Sequence, residues 1–139
     1  MIKEFQDKYR FLSNFYPAKI IYEGIEYPSS EYAYQAAKSL NIDERYKISK
    51  LETPGQAKRY GKTIKIRKDW EQVKLQIMED IVRKKFKQNS IIAEWLKNTG
   101  NQQLVEGNKW NDVYWGICNG KGENYLGKIL MKIRDELNA

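Results

Sequence analysis

The chain has no histidine, a single cysteine and three prolines in 139 residues. Each shortage removes a class of chemistry. Without imidazole, neither a Ser-His-Asp nor a Cys-His arrangement can be built, and catalytic zinc loses its usual ligand. The lone Cys118 excludes an internal disulfide and a cysteine-rich zinc site, and a thiol of this kind is usually a small hydrophobe, not a nucleophile. Long apolar runs are also missing. No stretch of more than eight residues is free of charge, which excludes a membrane-spanning helix. No secretory signal, internal repeat or low-complexity tract stands out. These absences predict a soluble, cytoplasmic chain, and its length predicts one compact domain over residues 1–139. Any chemistry falls to Asp, Glu, Lys, Tyr and backbone groups, with no cofactor and no metal.

Positive charge, by contrast, is plentiful: 25 Lys and Arg against 18 Asp and Glu give a formal net charge of +7. That balance favours an anionic partner, either a phosphorylated small molecule or nucleic acid. Solvated helix faces account for much of it, so charge alone names no ligand.

The most informative stretch is Pro28-Ser29-Ser30-Glu31-Tyr32-Ala33-Tyr34-Gln35-Ala36-Ala37-Lys38. A proline and two serines ahead of an alanine-rich run predict a helix with Ser29 or Ser30 as N-cap and Glu31 in its first turn. Glu31, Gln35 and Lys38 are spaced i, i+4, i+7. At about 100° per residue they span roughly 60° of arc, so a carboxylate, an amide and an amine share one helix face.

Upstream, Phe11-Leu12-Ser13-Asn14-Phe15 reads as a tucked-in loop whose polar atoms are in use, with Asn14 either capping a turn or meeting a ligand. Residues 18–27 read as a short β-hairpin around Glu23-Gly24. Residues 42–51 predict a charged helix, and Thr53-Pro54 with Gly61 bracket another. Lys62 to Lys68 alternates apolar and basic residues, which fits either a strand edge or loop offering cations to a phosphate or a solvated strand face. Asp69 with Gln72 resembles a capping box opening the longest helix, with Trp70, Val73, Ile77, Met78, Ile81, Val82 and Phe86 inward and Arg83-Lys84-Lys85-Lys87 solvated. A short helix from Ser90 to Lys97 turns Ile91, Trp95 and Leu96 inward. Gln103 to Glu106 is a candidate strand, and Leu126, Ile129, Leu130, Ile133 and Leu137 mark a final amphipathic helix. The fold class is α+β, mainly α-helical, with a small N-terminal β-hairpin.

A second polar stretch, Trp110 to Asn124, carries Asp112, Trp115 and glycines at 116, 120 and 122 directly before that last helix. Glycines there admit close approach of a ligand, and the helix N-terminus offers N–H groups to an anion. Trp110 and Trp115 are either stacking platforms or core. The two polar stretches are expected to face each other across a site.

Taken in order, Phe11 to Phe15, Ser30-Glu31 with Gln35 and Lys38, Lys68 to Trp70, Leu104-Val105-Glu106, Asp112 with Trp115-Gly116, and Gly122 to Arg134 resemble the NADAR, or YbiA-like, family. The match covers most of the chain. It departs from the family at Cys118, where a glycine is common, and at Trp110, an aromatic at a variable place. The resemblance implies an N-glycosidase acting on ribosylated amines and bases. Its leading substrate is ADP-ribose on guanine or nucleic acid, and its alternative is the phosphoribosylaminopyrimidine intermediates of riboflavin synthesis. From another class, a non-catalytic module that binds ADP-ribose or nucleic acid is the rival. On this reading Glu31 is the acid/base, Lys38 either an amine that attacks the anomeric carbon to give an imine or a group that binds the substrate's phosphate, and Asp112 the group that orients or activates water. Substrate contacts fall to Ser13, Asn14, Gln35, Trp110, Trp115, Gly116, Gly122 and Asn124.

Overall fold

Helix α1, Ser30–Ala37, is buried at every one of its eight positions in the computed structural model, which describes Met1–Ala139. A helix covered all round normally carries only apolar side chains. This one carries Ser30, Glu31 and Gln35 among its tyrosines and alanines. The architecture is mainly helical with one two-stranded antiparallel sheet, and the chain clusters into two compact units.

Residues 14–89 form the unit that contains α1. Strands β1 (Ile20–Tyr22) and β2 (Ile25–Tyr27) pair with Ile20 opposite Tyr27 and Tyr22 opposite Ile25. Glu23 and Gly24 both adopt positive φ, the two-residue turn whose twist suits a hairpin. Ile20, Tyr22, Ile25 and Tyr27 point inward, while Ile21 and Glu26 point out. Gln88 completes the open edge of β1: its Oε1 accepts the Ile21 N–H at 2.7 Å and its Nε2 donates to the Ile21 carbonyl at 3.0 Å.

Three further helices complete this unit. In α2 (Ile42–Ser49), the Asn41 Oδ1 accepts the N–H groups of Asp43 and Glu44. In α3 (Pro54–Gly61), Thr53 Oγ1 accepts from Gln56 N with Pro54 at the first helical position, as its sequence predicts. The longest, α4 (Trp70–Gln88), buries Trp70, Ile77, Met78, Ile81, Val82 and Phe86. α1 packs against α2, α3 and α4.

Several expectations are corrected here. Residues 62–68 form an irregular connection, the loop of the alternatives their pattern left open, and not a strand. Asp69 makes no side-chain cap; its carboxylate takes a two-pronged hydrogen bond from Arg67 at 2.7 and 3.1 Å, and a bidentate guanidinium outcompetes a single N–H. Lys85, read as part of a solvated run, is 0% exposed, because its position follows the buried Ile81-Val82 pair by one turn.

The other unit joins residues 1–13 to residues 90–139. It holds a 3-10 helix, Asp7–Leu12, followed by α5 (Ser90–Lys97) and α6 (Tyr125–Leu137). Ile92 and Leu96 form the buried face of α5, whereas Ile91 is 69% exposed and Trp95 half-exposed against Phe11, a rotation of the expected face. The strand expected at 103–106 is a single parallel bridge between Ile2 and Leu104. Ile2 N–H donates to the Gln103 carbonyl at 2.8 Å and Val105 N–H to the Ile2 carbonyl at 2.9 Å. The stripe predicted for α6 is buried at Leu126, Ile129, Leu130 and Ile133.

Candidate active site

Asn14 holds the N-terminus of α1 from outside. Ser29 is the N-cap, yet no cap bond runs from its side chain, and its Oγ is buried without a hydrogen-bond partner. Instead the Asn14 carbonyl accepts the Glu31 N–H at 3.1 Å, and Asn14 Oδ1 accepts from Ser30 Oγ at 2.8 Å. The Asn14 amide nitrogen donates weakly to Met78 Sδ at 3.5 Å. A residue far along the chain thus performs the capping that the local sequence assigned to serine. The polar atoms of this loop are in use, as expected.

Glu31 and Gln35 of α1 share a face with the C-cap Lys38 by helical spacing, and the first two touch. Gln35 Nε2 donates to Glu31 Oε1 at 3.2 Å, with Glu31 only 7% exposed and Gln35 4%. The other end of that amide, Gln35 Oε1, is buried and has no hydrogen-bond partner. It lies against Gly61, where an added Cβ would collide with the amide oxygen. Gly61 was legible in the sequence only as a stop signal. The structure makes it the last residue of α3 and the point where α3 comes close to Gln35.

Lys38 is the C-cap of α1 and is half-buried. Its carbonyl accepts the Arg67 N–H at 2.8 Å, and its Nζ stands 5.7 Å from the centre of the Tyr34 ring. Burial lowers the pKa of its amine below the ordinary lysine value. The Glu31 carboxylate opposes that shift, and the positive charges of Lys62, Lys74 and Lys58 add to it. No group of histidine, cysteine and acidic residues in the structure has the arrangement of a metal site.

Asp112 has a defined local duty. Its Oδ1 accepts the N–H groups of Tyr114 at 3.1 Å and Trp115 at 2.9 Å, which fixes the turn. Asn108 braces the same turn, accepting the Asp112 N–H at 3.0 Å and donating to the Asp112 carbonyl at 2.8 Å. Asp112→Ala is expected to cost about 1 kcal/mol of stability, the scale of a lost capping acceptor, whereas Asp112→Asn keeps the Oδ1 acceptor and retains wild-type stability. Urea denaturation of both variants checks this; equal destabilisation by Ala and Asn would mean that charge, not capping, is what matters.

The glycines of this stretch serve backbone packing. The Cβ position of Gly116 is filled by the Glu106 carbonyl, and that of Gly122, at φ 146°, by the Gly116 carbonyl. The anion site expected at the start of α6 is not open. The N–H groups of Glu123, Asn124, Tyr125 and Leu126 donate to the carbonyls of Val113, Gly116, Tyr114 and Trp115, so the turn itself occupies them. Asn124, at positive φ, donates from Nδ2 to the Leu104 carbonyl at 2.9 Å and accepts the Glu106 N–H at Oδ1 at 3.0 Å. Trp115 packs edge-on against Tyr114, Trp110 is 57% exposed, and Cys118 is a buried small side chain. Ser13 closes the 3-10 helix, its N–H donating to the Arg10 carbonyl at 2.9 Å.

The chain has relatives among known proteins. The NADAR domain model matches residues 2–138. N-glycosidase YbiA of Shigella flexneri is 40% identical over 134 residues, covering 94% of this chain and 83% of that protein. A riboflavin biosynthesis protein of Vibrio vulnificus is 39% identical over 134 residues, and the matched part is 94% of this chain but only 36% of that longer protein. The NMR structure of the E. coli protein YbiA superposes with a TM-score of 0.85 at 36% identity, covering 99% of this chain and 87% of that one. With matches of this extent along nearly its whole length, the chain belongs to the NADAR domain family.

Proposed function

We propose that this protein is an N-glycosidase that hydrolyses the bond between a ribose anomeric carbon and an amine or base nitrogen. The observation that carries the reading is the buried Glu31–Gln35 hydrogen bond one turn from a half-buried Lys38 whose amine is shifted toward its neutral form. A buried carboxylate and a half-buried amine on one helix can supply the acid and the nucleophile for nitrogen-glycoside cleavage in a chain without histidine.

In this mechanism Glu31 protonates the departing nitrogen as the C–N bond breaks. The Lys38 Nζ lone pair forms a new bond to the anomeric carbon and gives up a proton. The sugar ring opens to an imine, with its ring oxygen taking up a proton. Water then adds to the imine carbon, releasing the free sugar and restoring the lysine. Gln35 is proposed to keep the Glu31 carboxylate in position, and the role of Asp112 toward water rests on the family motif. The substrate contacts proposed for Ser13, Asn14, Trp110, Trp115, Gly116, Gly122 and Asn124 rest on the family motif.

Two substrates fit: ADP-ribose attached to guanine, free or in nucleic acid, and a phosphoribosylaminopyrimidine. The riboflavin biosynthesis name of the Vibrio relative favours the second. The purified protein is incubated with each compound, and sugar release is followed by mass spectrometry. Release from one identifies the substrate class; release from neither removes the assignment.

A further inference from the structure

We infer that Gly61 is a positioning residue. By carrying no side chain it sets where the Gln35 amide lies, and through that amide it holds the Glu31 carboxylate for proton transfer. The inference deepens the N-glycosidase reading and rests on it for the reaction that Glu31 serves.

Gly61 ends α3 and is buried. A glycine is often needed where the backbone takes positive φ, as Gly24, Gly100, Gly120 and Gly122 do, but Gly61 is not among them and lies within the helix. At a helical position alanine is the better residue, so backbone conformation gives no reason for glycine here. Space does. The three atoms nearest to an added Cβ all belong to Gln35: the amide oxygen, which it would overlap outright, the amide carbon at 2.8 Å and Gln35 Cβ at 3.4 Å.

That amide links α3 to the carboxylate through one side chain. Gln35 Nε2 donates to Glu31 Oε1 at 3.2 Å, one turn away on α1, while Gln35 Oε1 is buried against Gly61 with no hydrogen-bond partner. An orphaned acceptor costs stability, and turning the amide over would not remove the conflict, because its oxygen would then face an oxygen of the ionised carboxylate. The charge on Glu31 therefore fixes which end of the amide it meets, and the bare backbone of Gly61 fixes how far the other end withdraws. A methyl group at position 61 overlaps the far end of a flexible side chain and no backbone atom outside α3. The amide yields before the helices part, and the bond it makes to Glu31 changes with it.

The test compares Gly61→Ala, Gln35→Ala, the Gly61→Ala/Gln35→Ala double variant and Gln35→Met, at a temperature where circular dichroism shows them folded. The substrate is whichever of the two ribosylated compounds named above the wild type cleaves. Each single variant should lower kcat about ten- to a hundredfold with KM little changed, the cost of a misplaced catalytic group. In the double variant Gly61→Ala should add nothing to the loss from Gln35→Ala, since the atoms it strikes are gone. The Gln35 side-chain amide signals in NMR read the geometry without turnover: they should shift in Gly61→Ala and exchange faster with water. Unmoved signals, a kcat for Gly61→Ala within about twofold of wild type, or losses that multiply in the double variant overturn the inference and leave the glycosidase reading standing. Should Gly61→Ala not fold, the double variant carries the test. Folding restored with the kcat of Gln35→Ala supports the inference, whereas failure to fold there, or wild-type turnover by Gln35→Met, overturns it. If the wild type cleaves neither compound, the glycosidase reading falls, and the amide signals alone decide whether Gly61 sets Gln35.

Discussion

Glu31→Gln is expected to lower kcat by roughly 10²–10⁴-fold, the usual contribution of a positioned general acid. The substitution is close to isosteric, and a glutamine at position 31 still offers an oxygen to Gln35 Nε2, so the 3.2 Å contact has a counterpart and α1 keeps its packing. Substrate binding should therefore survive while turnover is lost. The effect belongs in kcat, because the proton reaches the leaving nitrogen only as the bond breaks. Single-turnover kinetics alongside calorimetric binding separates the two. A variant that turns over within threefold of wild type would remove Glu31 from the chemistry and leave it a buried structural acid.

Lys38→Ala should be at least as damaging, on the order of 10³-fold or more in kcat, since losing the nucleophile removes the covalent route altogether. Borohydride added during turnover should reduce the imine and leave a sugar-sized mass on Lys38 in the wild type and none in the variant. The pH profile supplies an independent reading. Attack needs the neutral amine, and burial, reinforced by the neighbouring lysines and opposed by Glu31, lowers its pKa. A lowered pKa means that the neutral form is populated at lower pH than for an ordinary lysine. Thus kcat/KM should rise with pH through an apparent value below the ordinary lysine range, and fall as acid restores the ammonium. An active Lys38→Ala enzyme with no trapped adduct would replace the imine by direct attack of water, leaving the role of Glu31 intact.

How much of this was legible in the sequence depends on whether the cause is local. Helix α3 was readable because Thr53, Pro54 and Gly61 act within one turn of where they stand. The hairpin was readable for the same reason at Glu23-Gly24. The shared face of Glu31, Gln35 and Lys38 followed from helical spacing, and the structure adds the hydrogen bond. Burial of that face was not legible, because it depends on elements up to fifty residues away, such as Gly61 and Met78, that no local pattern announces. Lys85 was misread for a related reason: flanking lysines suggest a wet surface, while the turn before it is apolar. At the start of α6 the sequence shows glycines and free helix N–H groups, but not that the chain turns back to present its own carbonyls. A loop that satisfies itself and a loop that waits for a ligand have the same composition.

The all-round burial of α1 has a consequence for how the protein breathes. Amides on a helix with no solvent face exchange with deuterium only when the surrounding packing opens, so α1 should be among the last segments of the 14–89 unit to label. Active groups are commonly carried on loops, which label early and sample many geometries. Here the carboxylate is fixed to a helix expected to exchange late in its unit. Fraying at the hairpin turn can come and go without displacing it, whereas opening at the start of α4, where Trp70 packs on Tyr34, would loosen the helix that carries it.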